Sequence, residues 1–105
     1  MSFEEISYLR EELAYSKAAL AVLNAAEATL ERVLEKHPKR KDSWEETFTP
    51  FGSCELAGAK VKRVQLLLEV LSAGLSSKEV IDEVLEEIDD AIAYLAFGRW
   101  LVGKL

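Results

Sequence analysis

From Ser76 or Ser77 to about Gly103 the chain reads as one unbroken helix. Ile81, Val84, Leu85, Ile88, Ile92 and Leu95 recur at helical spacing and form a strong apolar face. Roughly 25 residues rising 1.5 Å each make a rod about 40 Å long. A rod of that length in a chain of 105 residues has to be covered by other helices. Ser76 and Glu79 stand at capping-box spacing where it begins. No alternating strand pattern competes with it anywhere in the chain, so the predicted class is all-α.

Two more long helices are expected. The first opens at Ser2, with Glu5 at the capping-box position, and carries an apolar stripe through Ile6, Leu9, Leu13, Leu20, Leu23, Leu30, Val33 and Leu34. It should end near His37, because Pro38 does not continue a helix. Residues 38–53 read as a loop holding a short helical turn at Asp42 to Glu46, after which Pro50, Gly52 and Ser53 interrupt the chain. The second long helix is expected from about Cys54 to Ala73, capped by Ser53 and closed by Gly74 in the left-handed conformation. The short connection at 74–77 makes the second and third helices antiparallel neighbours. The expected architecture is therefore an antiparallel helical bundle of three main helices plus that short turn, one domain across 1–105. The end of the third helix, around Phe97 and Trp100, and the Leu66–Leu68 region of the second are apolar on more than one face. Three helices do not hide so much apolar surface, which predicts a homo-oligomer, dimer or tetramer.

Half of the residues are hydrophobic and only two are proline, so the chain is globular rather than disordered. Its net charge of −6 is unsuited to nucleic acid or an anionic membrane. The apolar stretch from Ala91 to Leu105 is broken by Arg99 and Lys104 and is too short to span a bilayer. One cysteine, Cys54, and an acidic start without an apolar leader point to a cytoplasmic protein. Against the acidic background, Lys36, Lys39, Arg40 and Lys41 form one basic group, and Lys60, Lys62 and Arg63 another. Two such groups suit a small phosphorylated ligand.

The segment Glu86-Glu87-Ile88-Asp89-Asp90-Ala91-Ile92-Ala93-Tyr94-Leu95 concentrates acids on the third helix. Glu83, Glu87, Asp90 and Tyr94 share one stripe beside the apolar face, whereas Asp82, Glu86 and Asp89 lie on the other flank. Carboxylates in such a row are either a solvated flank or ligands for a hard cation. Lys60 falls close to the apolar face of the second helix, where a lysine must snorkel or meet an anion. That anion is a ligand phosphate, or Glu87 or Asp90 on the facing helix, and Arg63 one turn on faces the same choice. Trp44, and Phe48 or Phe51, suit either stacking on a base or sealing the 38–53 segment onto the helices.

The decapeptide at 86–95 resembles the second metal-binding helix of the MazG-like all-α nucleoside triphosphate pyrophosphohydrolases. Glu87-x-x-Asp90 matches that family's second motif, and Glu55-Leu56-Ala57-Gly58 resembles its first, with 28 residues between Gly58 and Glu87. Gly58 stands where the family has a second glutamate. Lys41-Asp42-Ser43-Trp44 followed by Lys60-x-x-Arg63 is similar to phage-type relatives linked to deoxynucleotide metabolism. The resemblance implies hydrolysis of a nucleoside triphosphate to monophosphate and pyrophosphate with Mg²⁺, or Mn²⁺, as cofactor. It implies Glu87 and Asp90 as catalytic metal ligands and Glu55 as a further ligand; Glu83, on the same stripe, would stand in for the acid missing at 58. Lys60, Arg63, Trp44 and Tyr94 would contact the substrate. The departure at Gly58 leaves a second expectation on the same fold, a nucleotide-binding or purely structural helical module without turnover.

Overall fold

The computed structural model describes residues 2–13, 16–40, 44–75 and 77–105, leaving aside the side chains of residues 3, 12, 13, 37–40 and 44. Five helices follow in order: α1 Phe3–Leu13, α2 Lys17–Arg40, α3 Trp44–Thr47, α4 Pro50–Ser72 and α5 Lys78–Gly103. The protein is all-α, with no strand among the described residues. None of those helices is long and apolar enough to cross a membrane.

The expected first helix is two helices. Ser2 caps α1 as anticipated, accepting from the Glu5 N–H at 3.2 Å. A fresh start follows at Ser16, whose carbonyl accepts from Leu20 N–H and whose Oγ accepts from Ala19 N–H. Periodicity hides this break. Leu13 and Leu20 are seven residues apart, about two turns, so the apolar stripe stays in phase across it. Arg10 reaches back from α1 to Asn24 and Glu27 of α2, so the pair folds as a hairpin. At its far end α2 continues through Pro38 to Arg40. A proline this close to a helix end removes one late hydrogen bond instead of interrupting a long ladder.

Of the 38–53 segment, residues 38–40 belong to the end of α2 and 50–53 to the start of α4, while the expected short helical turn is α3, Trp44–Thr47; residues 41–43 lie outside the described residues. The cap of α4 is Thr49, not Ser53. Thr49 is extended (φ −107°, ψ 161°) and its hydroxyl accepts from the Gly52 N–H at 2.9 Å, with Pro50 in the first helical turn. Thr49→Ala removes that acceptor and is expected to lower stability by about 1 kcal/mol, measurable as a shift in urea midpoint at unchanged slope. Ser53 is fully buried instead.

Gly74, at φ 82°, ends α4 in the left-handed region expected for it. Ser77 caps α5, accepting from Val80 N–H at 3.2 Å; the alternative cap Ser76 lies outside the described residues. α4 and α5 then run antiparallel. Ser53 lies against Gly98, Lys60 against Glu87 and Asp90, and Arg63 against Glu83, so partners descend α5 as they ascend α4. The buried apolar side chains of these two helices are small or few: Ala57 and Leu67 from α4, Val84, Ala91 and Ala93 from α5. α2 lies along one flank of α5, with Arg32 and Lys36 beside Asp90.

Candidate functional site

Asp90 is the centre of the polar arrangement. α5 projects it toward the junction with α2 and α4, and it is 7% exposed. Three cations from two helices close on its carboxylate. Arg32 donates from Nε to Oδ1 at 2.6 Å and from Nη2 to Oδ2 at 3.3 Å. Lys36 donates to Oδ1 at 3.0 Å, and the Lys60 ammonium lies 3.2 Å from Oδ2. Burial alone would raise this carboxyl; the hydrogen bonds from Arg32, Lys36 and Lys60 outweigh it and hold Asp90 well below the usual carboxylate range.

Lys60 bridges two acids, with Nζ also 3.1 Å from Glu87 Oε2. Burial works to lower its pKa, and the bonds to Glu87 and Asp90 overcome that, raising it and keeping the ammonium charged. Of the two kinds of anion its place near the apolar face calls for, Lys60 here meets the carboxylates of Glu87 and Asp90. Arg63 makes the corresponding choice toward Glu83, donating from Nη2 at 2.6 Å. Glu86 is at the edge of the cluster, 4.0 Å from Arg32 Nη1.

The structure therefore brings together Glu87, Asp90 and Lys60, with Glu83 and Arg63 one turn toward the start of α5. It does not bring Glu55 to them. Glu55 is exposed and sits about 160° round α4 from the face turned to α5. Gly58 is also on the outer side, with nothing within 4 Å of where its Cβ would be. Among the described residues no three acids, histidines or cysteines are placed to hold a metal ion. Two carboxylates, Glu87 and Asp90, do converge on one cation position, and the Lys60 ammonium stands in it. Mg²⁺ is commonly bound by one or two carboxylates together with substrate phosphates. The pair fits a cation that arrives on a phosphorylated ligand; it does not fit one held by protein oxygens alone.

One turn beyond Asp90, Tyr94 begins an aromatic group. Its ring meets Phe48 edge-on at 5.9 Å and Phe97 edge-on at 6.4 Å, and Phe48 and Phe97 stack at 6.2 Å. Phe48, between α3 and α4, thus seals that connection onto α5. Phe51 is 75% exposed. The Trp44 side chain and Lys41 lie outside the described residues.

Arg32 is the participant that sequence reasoning missed. Its signal was present: Thr29, Arg32 and Lys36 share one side of α2, at spacings of three and four residues, and Thr29 is itself buried. Polar groups in a row on a packed helix side demand partners across the interface. No protein-family model, curated protein or solved structure matches the chain.

Proposed function

We propose that the protein is a nucleoside triphosphate pyrophosphohydrolase of the MazG-like kind, converting a nucleoside or deoxynucleoside triphosphate to the monophosphate and pyrophosphate. The observation that supports this reading is the convergence of Glu87 and Asp90 on the position held by Lys60 Nζ. Arg32 and Lys36 add two further cations at the same carboxylate. Incoming phosphates meet positive groups already gathered, and Phe48 and Tyr94 offer aromatic surface for a base one turn away.

In this role Lys60 would change partner from the two acids to the phosphates, and Glu87 and Asp90 would hold Mg²⁺ or Mn²⁺ brought in on the nucleotide. The bound metal would supply neutralisation of phosphate charge and activation of water for attack at the α-phosphorus. The bond from the α-phosphorus to its bridging oxygen breaks, and pyrophosphate leaves. Arg32 and Lys36 keep Asp90 ionised throughout, so both acids remain anionic.

Pyrophosphate release from the common ribo- and deoxyribonucleoside triphosphates with Mg²⁺ or Mn²⁺ tests the reading. Turnover of at least one is expected, and Glu87→Gln should lower kcat/KM on the order of 100-fold or more, since it removes a ligand whose charge is worth several kcal/mol. No turnover with any substrate would overturn it. The pairing of each stripe acid with a cation and the outward-facing Gly58 favour a second reading, nucleotide binding without hydrolysis. Its signature is a melting temperature that rises with Mg²⁺ plus nucleotide while no pyrophosphate appears.

A further inference from the structure

α1 and α2 do not share a core with α4 and α5. Every described apolar side chain that is buried comes from α4 or α5: Ala57, Leu67, Val84, Ala91 and Ala93. On α1 and α2, Leu9, Leu20 and Val33 are only half-buried, and Val22, Leu30 and Leu34 are exposed. Thr29 is the one buried residue described on these two helices, and its hydroxyl has no hydrogen-bond partner among the described residues. An unpaired buried hydroxyl is a cost that α2 carries where it lies against α5.

What holds the two pairs together is ionic. Among the described residues α1 packs on α2, and α2 packs on α5. Arg10 ties α1 to α2 through Asn24 and Glu27, so the two helices move as one body. Arg32 and Lys36 carry the bonds described between α2 and α5, both to Asp90, with Glu86 at the edge. Lys60 belongs to the other pair. It reaches Asp90 from α4 at 3.2 Å and Glu87 at 3.1 Å, so α4 and α5 keep an ion pair of their own whatever α2 does.

We propose that the α1–α2 hairpin is an arm, clasped to α5 by Arg32 and Lys36 on Asp90, that opens as a unit while α4 and α5 stay packed. Opening forfeits none of the buried apolar side chains. It gives the Thr29 hydroxyl access to water, and it frees Arg32 and Lys36, already 26% and 33% exposed, to rehydrate. Lys60 stays on Asp90 and Glu87, so neither acid is left unpaired. A unit held by few buried contacts opens at a lower free energy than the whole chain unfolds. The open arm uncovers the Asp90 carboxylate, 7% exposed when the arm is closed, so the clasp controls access to that acid. It does so with or without a nucleotide substrate and stands apart from the proposed activity.

Amide hydrogen exchange of the full chain without ligand, read by mass spectrometry peptide by peptide, tests the proposal. In the wild type, α1 and α2 should exchange together, about 10-fold or more faster than the peptides holding Leu67, Val84 and Ala91. Val84→Ala loosens the α4–α5 core. It should speed exchange in α4 and α5 about 10-fold or more and leave α1 and α2 within about threefold of wild type. Arg32→Gln weakens the clasp and should speed exchange in α1 and α2 on the order of 10-fold. Acceleration of all four helices alike by Val84→Ala would show a single cooperative unit and overturn the proposal. Exchange in α1 and α2 indifferent to Arg32→Gln would show fraying that the clasp does not govern, and would equally overturn it.

Discussion

Replacing Asp90 with alanine should cost about 2–4 kcal/mol of stability, seen as a melting temperature lower by on the order of 10 °C or more. Among the described residues the carboxylate is the only group shared by Arg32, Lys36 and Lys60, and its loss leaves three cations gathered at the α2–α4–α5 junction. The cost stays below that of breaking a fully buried pair because the three cations are each about a quarter to a third exposed and regain water. Asp90→Asn keeps the shape and loses the charge, so it should recover little. An alanine variant within 0.5 kcal/mol of wild type would mean that the cluster does not hold the helices together.

The pH dependence has a definite sign. Asp90 titrates below its unfolded value, so its contribution is fully present above about pH 4, the ordinary aspartate range, and is lost as pH falls below it toward the folded value. The difference in unfolding free energy between wild type and Asp90→Ala should therefore be flat from pH 5 to 7 and shrink below pH 4. Asp89, which burial displaces upward with a smaller push from the Asp90 charge, contributes to the difference only through that smaller part.

The second large effect is expected at Gly98. A Cβ added there would sit 3.3 Å from Ser53 Cβ and 3.8 Å from the Pro50 carbonyl oxygen, so α4 comes close to α5 at this point. Gly98→Leu should force the helices apart and cost about 2–3 kcal/mol. Gly98→Ala should be nearly neutral, because about 1 kcal/mol of gained helix propensity offsets a shift of a few tenths of an ångström. Denaturant midpoints of the two variants measure this. A leucine variant as stable as wild type would show that the gap at Ser53 is wider than described.

The contrast between these two residues shows what could be read before the structure. α5 was legible almost to its ends, because its capping serine, its 3.6-residue period and the left-handed Gly74 upstream all agree. The same kind of reading merged α1 with α2, since a seven-residue step preserves helical phase and Ser16 signals a start only through its cap. It also placed the start of α4 at Ser53, because Pro50 reads as a breaker when it is in fact favoured in a first turn. Periodicity put Glu87 and Asp90 on one stripe and Lys60 near the facing side, and those three do meet. Arg32 comes from an element 58 residues away in sequence, and no local pattern says which face of α2 meets which face of α5. Glu55 shows the converse: a spacing within four residues is easy to match, but the rotation of the whole helix decides where it points.

The cluster around Asp90 has one more consequence. Arg32, Lys36 and Lys60 are matched by Glu86, Glu87 and Asp90, so beyond a Debye length of about 8 Å the junction is electrically quiet. A distant anion senses only the net −6 of the chain and is not steered inward. On the proposed nucleotide reading, recognition there would begin at contact, as an exchange of internal partners for external ones, and a nucleotide arriving already chelated would disturb the charge balance less than a bare one.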